Sequence, residues 1–183
     1  MDVRTRILDA ALALAAQGGL HALSQHRVSR AAGVRQSHLT YYFPTRAALL
    51  QAVALRSIES AASPVARPAV KRRVARRALA DQLAGAALDP GRVRLLLGLV
   101  AAADSDAEIR RMMRGFIRTL RARLAELLRG SGIEADAQRI AALHALIVGS
   151  AVLHLARGTP QARREARAVL HDALAARDGR RAA

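Results

Sequence analysis

The stretch Ser-Gln-His-Arg-Val-Ser-Arg-Ala-Ala-Gly-Val-Arg-Gln-Ser-His-Leu-Thr-Tyr-Tyr-Phe, residues 24–43, constrains this chain more than any other, because two short helical patterns lie on either side of one glycine. From Gln25 to Ala32 the spacing turns Val28, Ala31 and Ala32 to one side and Gln25, Arg27 and Arg30 to the other, with Ser24 placed to cap the start. Gly33 follows, a residue that takes positive φ at a helix C-terminus without steric cost, and Val34 fills the angle between the two helices. The second pattern, Gln36 to Phe43, offers Leu39 as its core contact. Gln36, Ser37, His38, Thr40 and Tyr41 are mostly short or planar hydrogen-bonding groups suited to base edges and phosphates, where a purely structural helix more often carries Glu and Lys. The spacing predicts a helix-turn-helix.

The segments around this unit carry a family likeness. Arg6-Ile7-Leu8-Asp9-Ala10-Ala11, Gly19, Ala32-Gly33-Val34 and Tyr42-Phe43-Pro44-Thr45-Arg46-Ala47-Ala48-Leu49-Leu50 together resemble the DNA-binding domain of the TetR/AcrR family of bacterial repressors, over about the first 55 residues. Beyond Leu55 only the helical layout is similar. The resemblance implies an all-α fold of about nine helices: a three-helix DNA-binding domain at 1–55, then a helical-bundle effector-binding and dimerisation domain at 56–183. It also implies that Tyr42 and Arg46 clamp the phosphate backbone. Where the family usually has Phe and often Thr, this chain has Ala15 and Leu23, so its core is leaner. Arg35 stands where a Ser or Thr cap is usual, which costs the helix about 1 kcal/mol of capping and, for a cation at the positive dipole end, about 0.3–1 kcal/mol more. DNA offsets both if Arg35 binds a phosphate or a guanine edge. The candidate DNA-binding residues are Ser24, Arg27, Arg35, Gln36, Ser37, His38, Thr40, Tyr41, Tyr42 and Arg46.

Charge and composition narrow the class. A net charge of +16 points to a polyanionic partner, which with the helix-turn-helix is double-stranded DNA, although nearly all the basic residues are Arg in an Ala- and Gly-rich chain, and the composition that a GC-rich genome encodes accounts equally well for half of the excess. Residues 1–60 hold seven Arg against three acids, a net of +4, so most of the surplus lies outside the helix-turn-helix unit. Aromatic residues are only 2% of the chain, so the core is aliphatic and favours packed helices. Cysteine is absent, which excludes disulfides, thiolate metal sites and a cysteine nucleophile. The first residues lack the apolar core of a secretory signal, and a cytoplasmic location is expected.

Along the chain, Asp2 is placed to cap a first helix reaching Gln17 with Ile7, Ala11 and Leu14 as its stripe, and Gly18-Gly19 ends it. Arg4 and Arg6 are either phosphate contacts or solvated ends. Thr45 caps a fourth helix running to Ser60, whose N-terminus suits a phosphate. Ser63-Pro64 and Pro68 mark a linker. Lys71 to Arg77 is basic, but Val70, Val74, Leu79 and Leu83 give it a buried side, so it reads as a solvated helix face. Asp89-Pro90-Gly91 breaks the pattern before a helix from Arg92 to Ala103. Asp106 to Arg129 shows the clearest 3.6-residue period, and Gly130-Ser131-Gly132 stops it. The helix 135–157 is apolar nearly all round. The run Ile140 to Ala156 is short and polar for a membrane span, so one side is expected against the chain's own helices and the other against a second copy, with Gly149, Ser150 and Ala151 allowing close approach. Pro160 opens the last helix, 160–177, with a seam of Ala162, Ala166, Val169, Leu170, Ala173 and Leu174, and 178–183 reads as a frayed tail. These two helices fit the family's four-helix bundle across a two-fold axis.

Catalysis has no support: the six histidines show no metal-ligand spacing with a carboxylate, and no glycine loop fits a nucleotide. No enzyme, cofactor or metal is expected. Because the family binds small effectors among its middle helices, Leu99, Met112, Met113, Phe116 and His144 are the candidate ligand residues, the effector being unknown. The function expected is a ligand-responsive repressor, homodimeric through 135–157 and 160–177, on a palindromic operator and away from membranes. A nucleoid-type protein that coats DNA without sequence preference is the alternative, and a helical enzyme or ligand carrier with a vestigial head a third reading.

Overall fold

The computed structural model describes residues 2–61 and 72–175. Among them are nine α-helices, one 3-10 turn and no strand: α1 Val3–Gly18, the 3-10 turn Gly19–Ala22, α2 Gln25–Ala31, α3 Gln36–Tyr42, α4 Arg46–Ala61, α5 Arg72–Ala87, α6 Pro90–Ser105, α7 Ala107–Gly130, α8 Ala137–Arg157 and α9 Pro160–Ala175. The expected linker at 63–68, Val70, the side chain of Val74 and the tail at 178–183 lie outside the described residues.

Most helix ends obey local chemistry. Asp106 Oδ1 accepts from the N–H of Glu108 and Ile109 at 2.8 and 3.1 Å, and Asp136 Oδ1 from that of Arg139 at 2.7 Å, starting α7 and α8. Thr159 Oγ accepts from Ala162 N at 3.1 Å ahead of Pro160, the first residue of α9. Two expectations are corrected. Asp2 occupies the N-cap of α1, but its side chain makes no capping bond. Pro90 begins α6 instead of preceding it, since a proline lacks only an N–H that the first turn would leave unpaired.

The chain forms two compact units, Met1–Ser60 with Pro90–Ile117, and Ala61–Asp89 with Arg118–Ala183. In the first, α1 to α4 enclose Ile7, Leu8, Ala11, Leu39, Phe43, Leu49, Leu50 and Val53, and Leu95, Leu99, Ile109, Met112, Met113 and Phe116 from α6 and α7 close the same cluster. A leucine-sized side chain buried this way stabilises by about 1.5–3 kcal/mol. Helix α6 comes very near the 3-10 turn, because Gly98 has no Cβ. One added there would lie 2.6 Å from Leu20 Cβ. Arg94 Nη1 donates to Ala16 O at 3.3 Å beside that contact.

In the second unit, Leu79 and Ala80 of α5 share a cluster with Leu143 and Leu174, while Ala84 and Leu88 share another with Ala166 and Leu170, so α5 and α9 cross antiparallel. Asp81 ties them, its Oδ1 accepting from Arg167 Nη2 at 2.6 Å and meeting His171 Nε2 at 3.1 Å. The Arg167 hydrogen bond, and then His171, hold the Asp81 carboxyl below its ordinary 3.8. A lowered carboxyl pKa contributes stability that is complete above the unfolded value and lost as pH falls through the folded one. The tie is therefore expected to weaken only below about pH 4, by no more than about 1 kcal/mol for a solvent-screened pair. Acid unfolding of Asp81→Asn against the unsubstituted chain checks this: the variant should lose less stability between pH 5 and 2.

Helix α8 presents two apolar faces. Leu143, Ser150 and Ala151 are buried within the chain, whereas Ala142, Leu146, Gly149, Leu153 and Ala156 form an exposed stripe. Of the three small residues expected at a partner face, only Gly149 is exposed. Ser150 and Ala151 are covered by the chain itself. Val169, expected in the buried seam of α9, is 40% exposed, because the seam follows Ala162, Ala166, Leu170 and Leu174. By length and composition α8 could cross a membrane, and 11% of its most apolar window is buried.

Candidate nucleic-acid interface

Helix α2 starts where Ser24 Oγ accepts from Arg27 N at 3.2 Å. It turns its buried face through Val28 and Ser29, whose hydroxyl donates to His26 O at 3.1 Å. Ala31, expected on that face, is exposed, since in a seven-residue helix a small rotation exchanges neighbours. At the turn, Gly33 has φ +62° and Val34 N bonds back to Ser29 O at 3.0 Å. Arg6 Nη2 donates to both Ala32 O and Gly33 O at 3.1 Å, fastening the turn to α1. Arg4 lies 5.8 Å from the centre of the Phe43 ring. Both arginines thus have partners inside the protein.

Helix α3 is held by Leu39, fully buried, with Phe43 buried just past its end. Its other six residues, Gln36, Ser37, His38, Thr40, Tyr41 and Tyr42, all face outward. Tyr41 is 80% exposed and packs edge-on against Tyr42 with ring centres 5.3 Å apart. Thr40 Oγ1 donates to Gln36 O at 3.0 Å, leaving an oxygen lone pair outward. Arg35 sits at the N-cap in extended conformation without a side-chain capping bond, and its carbonyl accepts from His38 N and Leu39 N at 3.0 and 3.3 Å. The first turn of α3 is therefore open to an anion, with an exposed guanidinium at its lip. Thr45 Oγ1 accepts from Ala48 N at 3.0 Å to start α4, and its hydroxyl donates to Glu108 Oε1 at 3.1 Å. Arg46 is exposed on the first turn. Ser24 and Arg27 are exposed too, on α2. All ten candidate DNA-binding residues thus lie at the surface of the first unit, and α2 to α4 carry no carboxylate before Glu59.

Four of the five candidate ligand residues share one cluster. Leu99, Met112, Met113 and Phe116 are 1–8% exposed and belong to the core cluster of the first unit, while His144 belongs to the second. His144 Nδ1 accepts from Arg121 Nε at 3.3 Å. Burial, and then the Arg121 charge, push its pKa below the ordinary 6.5, so the ring is neutral at pH 7 with its proton on Nε2. A depression of about 230 Å³, bordered by Leu14, Gln17, Gly18, His21, Ala22 and Arg27, touches none of the five. Among the described residues no group of three or more His, Asp or Glu could hold a metal.

A helix-turn-helix whose second helix exposes six hydrogen-bonding side chains, with basic groups at both shoulders, defines a DNA-binding protein. Comparison with known proteins agrees. The profile of the bacterial regulatory proteins of the tetR family matches residues 7–53, and that of the C-terminal part of BetI-type transcriptional repressors matches 68–179, more than half of the chain. No curated protein sequence matches. Among solved structures, a TetR-family member from Streptomyces coelicolor A3 is 27% identical over 94% of this chain and 98% of its own, with a TM-score of 0.63. A TetR transcription regulator from Haloarcula marismortui is 17% identical over 95% and 97%, with a TM-score of 0.69. A putative transcriptional regulator from Saccharomonospora viridis, in complex with choline, is 18% identical over 95% and 96%, with a TM-score of 0.68. The chain belongs to the tetR family of bacterial regulatory proteins, with a C-terminal part of the BetI type. It is a DNA-binding transcriptional regulator of the repressor class, and its family is one of regulators, not enzymes. A nucleoid-type role is not favoured.

Proposed function

We propose that the chain is a cytoplasmic, ligand-responsive repressor without enzymatic activity, which binds a palindromic operator as a homodimer. Residues 1–55 read the DNA, and 56–183 bind the effector and pair the copies. The outward face of α3, six side chains on one buried leucine, carries the reading. Gln36, Ser37, His38, Thr40 and Tyr41 meet base edges and phosphates; Tyr42 and Arg46 hold phosphates, Arg35 takes a phosphate or a guanine edge, and Ser24 and Arg27 flank the contact. Two heads in successive major grooves sit about 34–36 Å apart.

The exposed stripe of α8, with Leu146 41% and Leu153 63% exposed, is the pairing surface together with the exposed Val169 of α9, because covering it removes the largest apolar side chains that α8 leaves in water. A membrane is not needed to account for it. Of the five candidate ligand groups His144 is the most open, and an effector reaching Leu99, Met112, Met113 or Phe116 has to displace core neighbours. For a full switch the effector must prefer one state by about 5.5 kcal/mol.

Selection from random duplexes tests specificity, and light scattering tests pairing. A palindrome should emerge and bind at least about 10³-fold more tightly than random DNA, with affinity falling steeply as salt rises. Leu146→Asp with Leu153→Asp should yield folded monomers that bind the palindrome at least tenfold more weakly. A wild-type chain that stays monomeric at micromolar concentration, or equal affinity for scrambled duplex, overturns this function.

A further inference from the structure

The six outward side chains of α3 differ in what they have left to give a duplex. Among the described residues Thr40 alone of the six has its proton spent inside the protein, where its Oγ1 donates to Gln36 O, one turn back, at 3.0 Å. Threonine reaches that carbonyl because its branched side chain sets the hydroxyl against the preceding turn of a helix. What Thr40 presents outward is an oxygen lone pair. Ser37, Tyr41 and Tyr42 keep their protons free. The commitment is reversed at Ser24, whose Oγ accepts from Arg27 N at 3.2 Å and so retains its own proton for a phosphate.

A duplex treats the two kinds of group differently. Phosphate oxygens only accept, so a hydroxyl that holds one must supply a proton, and Thr40 does so only by giving up Gln36 O. In the major groove guanine O6, thymine O4 and the purine N7 atoms accept as well, whereas adenine N6 and cytosine N4 carry amino groups that donate. An outward lone pair matches the amino groups and is repelled by the rest.

We propose that Thr40 sets an amino-over-keto preference at one position of each operator half-site, accepting from adenine N6 or cytosine N4 and disfavouring guanine and thymine. The inference rests on the repressor reading above and narrows it, since it makes Thr40 a reader of bases and not a holder of phosphates.

The test selects sequences from random duplexes with the unsubstituted chain, Thr40→Val and Thr40→Ser, and then measures affinity for the selected operator and for copies carrying base analogues. Thr40→Val keeps the shape and loses the oxygen. It should relax the preference at one position, where the unsubstituted chain chooses adenine or cytosine, and leave the rest of the consensus standing. Thr40→Ser, which can make the same bond to Gln36 O, should retain that preference. Replacing the chosen base by its analogue without the amino group, purine for adenine or 2-pyrimidinone for cytosine, should weaken the unsubstituted chain about three- to tenfold, the worth of one hydrogen bond, and Thr40→Val by no more than about twofold. Thr40→Ala, which also lacks the oxygen, takes the place of Thr40→Val should the latter unfold. A guanine or thymine at the relaxed position, a loss of affinity that is equal on every sequence with the consensus intact, or consensus and affinity both unchanged overturns the assignment. An unsubstituted chain that selects no sequence overturns the repressor reading instead, and this inference with it.

Discussion

Leu39→Ala is expected to lower the unfolding free energy by about 2–5 kcal/mol, the range for a fully buried leucine whose cavity does not collapse. The residue is fully buried, and it is the only buried side chain in the seven residues of α3. A helix that short does not persist by itself in water, since nucleation alone is unfavourable, so its order comes from this anchor and from Phe43 just beyond it. Operator affinity should accordingly fall further than the unfolded fraction explains, because the remaining folded molecules hold α3 loosely. Urea denaturation together with amide exchange of residues 36–42 measures both effects. A stability loss under about 1 kcal/mol, with α3 amides as protected as before, would show that the helix is held by something else.

Gly98→Ala and Gly85→Ala, the same exchange in two helices, are expected to act in opposite directions. In a helix interior the exchange gains up to about 1 kcal/mol from backbone entropy and propensity. At Gly85, on α5, an added Cβ meets nothing within 4 Å, so the gain is kept. At Gly98 the new carbon would lie 2.6 Å from Leu20 Cβ and 3.4 Å from Leu20 N, atoms rooted in the main chain of the 3-10 turn, so α6 itself must move away. Overpacking of that kind costs about 1–3 kcal/mol, enough to reverse the sign. Thermal unfolding of the two variants should bracket the unsubstituted chain, Gly85→Ala above and Gly98→Ala below. If Gly98→Ala also melts higher, the approach of α6 is not tight.

The helix-turn-helix was legible because each of its signals acts over a few residues: the Ser24 cap, the positive φ of Gly33, the single apolar position at Leu39. Family likeness extended that reading to Tyr42 and Arg46. Signals that act across the fold were not legible. Arg6 grips carbonyls 26 and 27 residues away, which no local pattern encodes. Gly98 reads in sequence as a weak point in a helix, and only its proximity to Leu20 explains the glycine. The 3.6-residue period marked Met112, Met113 and Phe116 as one face of a helix, but periodicity does not say what that face packs on. Helix α8 shows the limit most clearly. With apolar residues on nearly every side it has no polar face to set its rotation, so Ser150 and Ala151 could not be told from Gly149.

The bond between Thr45 and Glu108 has a bearing on how the head takes up DNA. A backbone phosphate arriving at the open amides of α4 finds a carboxylate already seated on the neighbouring hydroxyl, and the two anions repel. Accommodation is easier once Glu108 has swung off, and whatever moves the opening turn of α7 therefore alters the welcome the duplex receives. By thermodynamic reciprocity the duplex, once bound, pushes back on that turn with equal free energy.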